Sequence, residues 1–324
     1  MQTEIDRVAA WLGWPDGETH QLTELLASGA RSGSLALPKA DAARAVLARM
    51  DVPPHAIDEI LAVMPAAEHD LEAWWLIDHL YSKLIDHVGP EYPPPWPAPA
   101  GVEDALRRYL HLFVFLGAVP AAVNIHSARG IPEETTWSTL RDVGLQVANY
   151  QRRHGVAGFD GAFWIWQHFR GAIFRLGRLQ YNFWHVEFET DGFRHGDPAL
   201  GVHIPAIGPL TPEACDDSVR QARAFFPKYF PDRPVRIATC GSWLLDEQLA
   251  EYLPESSNIV GFQRRFTPVA GWSRPGDEDV IRFVFGFVPE SIDDLPQTTT
   301  LERAVVKHLR SGRHWQIRLG WFAL

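Results

Sequence analysis

The stretch Val202-His203-Ile204-Pro205-Ala206-Ile207-Gly208-Pro209-Leu210-Thr211-Pro212-Glu213 runs from the end of a strand, through a Gly/Pro turn, onto a helix. Thr211 is a good N-cap and Pro212 suits the first helical position. A helix start presents unpaired amide donors and a partial positive charge, so this is where a diphosphate would bind. Other residues of the same stretch work against that reading. Pro209 and Pro212 have no amide hydrogen, and Glu213, Asp216 and Asp217 bring negative charge into the opening turns. Arg220 lies roughly 12 Å beyond Pro212 at 1.5 Å per residue, too far to help directly. An ordinary capped helix therefore stays open beside the binding reading.

Other chemistry-bearing residues are sparser. Cys240-Gly241-Ser242-Trp243 is superficially similar to a cysteine-protease nucleophile segment but lacks the second cysteine, and a small buried cysteine accounts for it equally well. His195 and His203 could share a metal, yet no His-Glu-x-x-His or Cys-x-x-Cys spacing accompanies them, so no metal is expected. Neither a Gly-x-Ser-x-Gly elbow nor a phosphate-binding P-loop motif occurs.

The elements that must position these residues are read from the whole chain. Its 324 residues exceed what one core usually organises, which predicts two domains. With 46% hydrophobic and 22% charged residues the composition is that of a globular fold, while 13 Trp and 18 Phe suit large cores or an apolar ligand cavity. A formal charge of −10 repels a phosphate backbone, so neither nucleic acid nor an anionic membrane is expected as a partner. Any polyanionic ligand then needs a local basic or amide-lined pocket. Two cysteines, Cys215 and Cys240, make no disulfide framework, and the acidic Met1-Gln2-Thr3-Glu4-Ile5-Asp6-Arg7 opening is unlike a signal peptide. No run of about 18 apolar residues appears. A cytoplasmic setting is the expectation.

Apolar stripes at helical spacing mark the first part of the chain: Ile57, Ile60, Leu61 and Met64, then Leu71, Trp74, Trp75, Leu80 and Leu84, then Leu106, Leu110, Phe113 and Leu116. After Gly89, Pro93, Pro94, Pro95, Pro97 and Pro99 predict an extended connector. A further helix carries Leu140, Val143, Val147 and Tyr150 and ends near His154-Gly155. Beyond it the period changes to two, so the boundary is placed between residues 1–158 and 159–324. Leu179 to Val186 reads as a strand running toward an Asp191-Gly192 turn, and Leu200 to Ile204 as another. A helix from Pro212 to about Phe226, a strand Val235 to Cys240 and a short helix Asp246 to Leu253 follow. Ile259 to Phe266 and Val280 to Phe287 read as two strands around an Arg274-Pro275-Gly276-Asp277 turn. On the first of them Arg264 and Arg265 point to opposite faces. Thr299 and Glu302 have capping-box spacing for a helix, and Trp315, Ile317, Leu319 and Trp321 alternate as a closing strand.

Four segments of the second half form a pattern: Arg175-Leu176-Gly177-Arg178-Leu179-Gln180-Tyr181; His203-Ile204-Pro205 with Gly208-Pro209-Leu210-Thr211; Cys240-Gly241-Ser242-Trp243-Leu244-Leu245; and Ser257-Asn258-Ile259. Together they resemble the GNAT-like C-terminal domain of bacterial, largely actinobacterial, acyltransferase-type proteins. Gly130-Ile131-Pro132 and Thr139-Leu140-Arg141-Asp142 resemble the helical N-terminal domain of the same proteins, so the likeness covers most of the chain after about Asp51. It implies an α+β chain: an all-helical domain followed by a GNAT-like mixed-sheet α/β domain. It also implies acyl-CoA, or another acyl thioester, as co-substrate and an amine acceptor, both small molecules, with the diphosphate of an acyl-CoA gripped by Ile204, Ala206, Ile207, Gly208, Leu210 and Thr211 and with Gln180 and Asn258 as polar pocket groups. Acyl transfer needs a base for the ammonium proton and an acid for the departing thiolate. Tyr252 lies where such folds carry a tyrosine acid; His203, at the strand end beside the turn, is the first choice of base and Glu187 the second. A noncatalytic ligand-binding or interaction protein on the same scaffold is the alternative reading.

Overall fold

The computed structural model describes residues 2–15, 17–27, 29, 33, 35–86, 96–101, 103–190, 192–287 and 289–324. Gly89 and Pro93–Pro95 of the proline run, and Asp191 of the expected turn, lie outside them. Pro97 and Pro99 are in neither helix nor strand. The chain forms two compact units, Met1–Phe174 and Arg175–Leu324.

The first unit is helical: α1 Gln2–Leu12, α2 His20–Ala27, α3 Ala40–Arg49, α4 Pro54–Ala62, α5 Leu71–Asp86, α6 Ala105–Arg108, α7 Leu110–Ala128, α8 Glu133–Leu140, α9 Asp142–His154 and α10 Ala162–Phe169. Its centre is α7, which is apolar on every side and packs against α5 and α10. By length and composition α7 could cross a bilayer, but 67% of its apolar window is buried inside the fold, as befits a core helix. Phe115 on α7 stacks on Trp96 at 5.2 Å between ring centroids and meets Phe169 of α10 at 4.9 Å. Those contacts place α10 in this unit, although it follows the point where the sequence period changes.

Two buried features of this unit carry energetic consequences. His111 of α7 donates from Nε2 to the Pro97 carbonyl at 2.8 Å, and His126 pairs through Nδ1 with Thr136 Oγ1 at 3.0 Å. Burial pushes both imidazoles down to about 4. The second feature is the contact of α9 with the α3–α4 connection. The Gly144 amide donates to the Met50 carbonyl at 3.1 Å, and a Cβ on Gly144 would fall well inside contact distance of the Asp51 backbone.

The second unit is built on a six-stranded mixed sheet in the order β1-β2-β3-β4-β6-β5. The strands are β1 Ile173–Leu176, β2 Leu179–His185, β3 Pro198–His203, β4 Ile237–Ser242, β5 Thr267–Pro275 and β6 Gln316–Ala323. β2 pairs antiparallel with β3, β4 with β6, and β5 with β6; β3 and β4 are parallel. Helix α11, Pro212–Tyr229, lies on the β2 face that carries Tyr181 and Phe183. There Ser218 Oγ accepts from the Leu179 amide at 3.2 Å and meets Tyr181 Oη at 3.1 Å, while Phe226 packs edge-on against Phe183 at 5.4 Å.

Helices α12 Asn258–Gln263 and α13 Asp277–Phe285 occupy the two segments that alternation predicts as strands, and the segment between them is β5. End chemistry decides both. Ser257 Oγ caps the start of α12 by accepting from the Ile259 amide at 3.2 Å. α13 has Asp277, Glu278 and Asp279 in its first turn and closes on Gly286 at φ 82°, a left-handed cap that favours glycine. The last helix, α14 Thr300–Arg310, has the expected capping box between Thr299 and Glu302. The stretch after β4 forms two short 3₁₀ helices, Trp243–Leu245 and Glu247–Glu251, the second within the bounds of the expected short helix.

Two measurements check this packing. Gly144→Ala is expected to lower stability by about 1–3 kcal/mol, the usual cost of overpacking, read as a lower urea midpoint. Acid should act through His111 and His126. The unfolded chain takes up protons near the ordinary value of 6.5, whereas the folded chain resists until about 4. Their contribution is therefore complete above pH 6.5 and is lost as pH falls toward 4, on the order of 3 kcal/mol for each histidine. Urea midpoints that stay flat between pH 7 and pH 4.5 would contradict it.

Candidate functional site

β3 and β4 register with each other only at Leu200↔Ala238 and Gly201↔Thr239. β3 continues through Val202 and His203, and β4 through Cys240, Gly241 and Ser242, without further pairing between them among the described residues. The sheet therefore opens at the carboxyl ends of two parallel strands, the position where open α/β sheets receive ligands. Gly201 suits this place because Asn182 lies opposite it in the β2–β3 register and its side chain occupies the space a Cβ would need.

The chain leaves β3 into the turn 204–211 and enters α11 at Thr211. Thr211 Oγ1 accepts from the Ala214 amide at 3.3 Å, and its carbonyl accepts from Cys215 at 3.0 Å. Within the turn the Ile207 amide donates to the Pro205 carbonyl at 2.8 Å, and Gly208 takes φ 53°, the left-handed region that glycine allows without strain. Two arginines from distant parts of the unit hold this segment. Arg178, in the β1–β2 turn, donates to three carbonyls: from Nη1 to Pro205 at 3.0 Å, from Nη2 to Gly208 at 3.1 Å and from Nε to Pro209 at 3.1 Å. Arg265, just past α12, donates to the Pro212 carbonyl at 2.9 Å and pairs with Asp216.

These arginines change the electrostatics that the local sequence suggests. The bond from Arg265 holds the Asp216 carboxyl below its ordinary range. Asp217 pairs with Arg220 and accepts from Gln221 at 2.7 Å. Two of the three acids near the helix start are thus matched by cations, and the Arg178 guanidinium stands behind the turn. Neither Arg178 nor Arg265 is adjacent in sequence to the residues it holds. The sequence marks Arg178 only through its place in the segment Arg175–Tyr181, and Arg265 only as one of a charged pair on an expected strand.

The expected donor-site residues Ile204, Ala206, Ile207, Gly208, Leu210 and Thr211 are contiguous in this turn, with Ala206 and Gly208 exposed and Leu210 buried. Asn258 is the first residue of α12, after the Ser257 cap. His203 ends β3 and bonds through Nε2 to Asn182 Oδ1 at 3.0 Å. An amide oxygen only accepts, so Nε2 carries the hydrogen and the basic lone pair of the neutral ring is on Nδ1. Gln180 pairs with His203 in the strand register, and both Gln180 and Asn182 are buried. Antiparallel partners share a face, so Gln180, Asn182 and His203 form a polar row on the face opposite Tyr181 and Phe183. Asn182 carries no motif of its own, and its spacing of two from Gln180 is the one sequence signal that places it on this face.

Tyr252 and Glu187 are carried by other segments of the unit. Tyr252 Oη bonds to His308 Nδ1 at 3.1 Å, and the His308 ring stacks on Trp315 at 4.0 Å. Glu187 is exposed just beyond β2. Among the described residues no hydrogen bond or ring contact joins Tyr252, Glu187 or Asn258 to the turn or to His203. Cys240 is 2% exposed and burial pushes its thiol up to about 12, the opposite of an activated nucleophile. Among the described residues no group of three or more His, Cys, Asp or Glu is placed to hold a metal ion.

A mixed sheet opened between two parallel strands, with a turn and helix at the opening, defines a GNAT-like domain. Residues 173–322 match the GNAT-like C-terminal domain, and residues 41–171 match the N-acyltransferase N-terminal domain. Three solved structures align over 99% of this chain and 99% of their own. An acyltransferase in complex with decanoyl-CoA and teicoplanin is 38% identical with a TM-score of 0.91. An acyltransferase with CoA and 10C-teicoplanin gives 38% and 0.90, and one with decanoyl-CoA gives 39% and 0.88. Among curated proteins no relative is found. The chain belongs to the two-domain acyltransferase family that joins an N-acyltransferase N-terminal domain to a GNAT-like C-terminal domain.

Native protein should resist iodoacetamide at pH 7, since a thiol with a pKa of about 12 is ionised to roughly one part in 10⁵ there. Mass spectrometry should find Cys240 alkylated only after unfolding. Rapid alkylation in the native state would reopen nucleophilic chemistry at Cys240.

Proposed function

We propose that this protein is an N-acyltransferase that moves an acyl group from an acyl-CoA, of medium chain length, to an amino group on a glycopeptide-type acceptor. One observation carries the reading: 38% identity over 99% of the chain to an acyltransferase in complex with decanoyl-CoA and teicoplanin. The opened sheet and the arginine-held turn support it. In the reaction the amine nitrogen attacks the thioester carbonyl, a C–N bond forms, the C–S bond breaks and CoA leaves as the thiol. His203 is proposed as the base that takes the ammonium proton through Nδ1, and its bond to Asn182 fixes the tautomer this needs. Tyr252 is retained as the acid for the departing thiolate and Glu187 as the second choice of base. Asn258 is retained as a polar group for the donor. Both cysteines are free thiols, in keeping with a reducing cytoplasm.

Thermal unfolding with CoA and decanoyl-CoA, followed by mass spectrometry of teicoplanin-type amines incubated with the pair, tests this. Saturation at 100 times Kd should add about 2.7 kcal/mol of stability, and the acceptor should gain one acyl mass. His203→Ala should lower kcat by about 10²–10⁴. Absence of stabilisation by any CoA species at millimolar concentration would end the acyl-CoA reading. Stabilisation without turnover on any amine would favour the noncatalytic alternative. Turnover indifferent to His203→Ala and Tyr252→Phe would keep the enzyme and discard these assignments.

A further inference from the structure

Resting on the acyl-CoA reading above, we propose that Arg178 is the positioning residue of the donor site: by seizing the carbonyls of the β3–α11 turn it aims the Ala206 and Leu210 amides at the diphosphate. The inference follows from peptide geometry. In a planar trans peptide the C=O and the N–H point in opposite directions. Arg178 takes the carbonyls of Pro205, Gly208 and Pro209. The Pro205 peptide carries the Ala206 N–H and the Pro209 peptide carries the Leu210 N–H, so both hydrogens face away from the guanidinium. The Gly208 peptide ends on Pro209 and has no hydrogen to offer. The Ile207 amide is occupied by the Pro205 carbonyl at 2.8 Å, and the Ala214 amide by Thr211 Oγ1 at 3.3 Å. The turn loses donors to Pro209 and Pro212, yet it keeps two that the arginine turns to one side.

Arginine is required for a geometric reason. Its planar fork presents several N–H groups in fixed directions, and here Nε, Nη1 and Nη2 each reach a different carbonyl. A lysine ammonium at the same place is a point charge and cannot span them. The β1–β2 turn delivers the side chain: Gly177 takes φ 68°, and a Cβ there would come within 3.2 Å of Gln221 Nε2 on α11. Three of its five N–H groups, one on each nitrogen, serve carbonyls, and in this proposal Arg178 acts on the diphosphate through the turn, with its charge behind the amides.

The test measures Kd of the full chain for CoA and for decanoyl-pantetheine, a thioester that lacks the diphosphate, in wild type, Arg178→Met, Arg178→Lys and Ala206→Pro. Loss of aimed charge-assisted bonds predicts a fall in CoA affinity on the order of tenfold to a hundredfold for Arg178→Met and Arg178→Lys alike. The fall for decanoyl-pantetheine should be much smaller. Ala206→Pro deletes one donor with the arginine in place and should weaken CoA in the same selective way, which keeps the claim testable should Arg178→Met not fold. Three results would each overturn the proposal: wild-type CoA affinity in Arg178→Lys, equal losses for both ligands, or full CoA affinity in Ala206→Pro. A wild-type protein that binds no CoA would remove the acyl-CoA reading and this proposal with it, whereas wild-type binding with indifferent variants removes this proposal alone.

Discussion

The second unit depends on how briefly its two parallel strands pair. β3 and β4 meet at Leu200↔Ala238 and Gly201↔Thr239 and then separate while each keeps its antiparallel partner, β2 on one side and β6 on the other. A sheet that stayed paired would bury its carboxyl-end backbone groups in a ladder. Here those groups border an opening, and the chain leaving β3 must turn there to reach α11. Ser218 and the aromatic contacts of Phe226 fix α11 to β2, so the turn is held at both ends.

A protein with a formal charge of −10 has no global attraction for a diphosphate, and its site must be made locally. The acids near the start of α11 would oppose one if they stood unpaired. Arg265 answers Asp216, Arg220 answers Asp217, and Arg178 adds a cation behind the turn. Each of these charges is spent mostly on order within the protein. What remains for a ligand is a small set of amides with fixed directions, the kind of preorganised polar surface that loses little by reorganising when charge arrives.

Much of the sheet was legible in the sequence because strands such as β2 alternate two kinds of side chain along the chain. Tyr181 and Phe183 alternate with Gln180, Asn182 and Trp184, and the structure puts the two sets on opposite faces. The capping box of α14 and the Thr211 N-cap were legible for a local reason: each is completed within a few residues. The α12 and α13 segments misled because Ile281, Phe283, Phe285 and Phe287 also satisfy a period of two, while the acidic first turn and Gly286 cap that make α13 a helix lie at its ends. In the site, the turn residues were legible as a contiguous motif. The grip of Arg178 was not, because three carbonyls can be gathered under one side chain only after β1 and β2 have formed their hairpin. The bond between His203 and Asn182 likewise needs the strand register, which periodicity alone does not set.

The central claim is that the β3–α11 turn is where the donor's diphosphate sits, with its amides as the donors. A crystal structure of this protein with CoA tests it most directly. The account predicts diphosphate oxygens about 3 Å from the amide nitrogens of Ala206 and Leu210, with Arg178 still bonded to the carbonyls behind them. A diphosphate bound away from this turn, or held by arginine side chains released from those carbonyls, would contradict it.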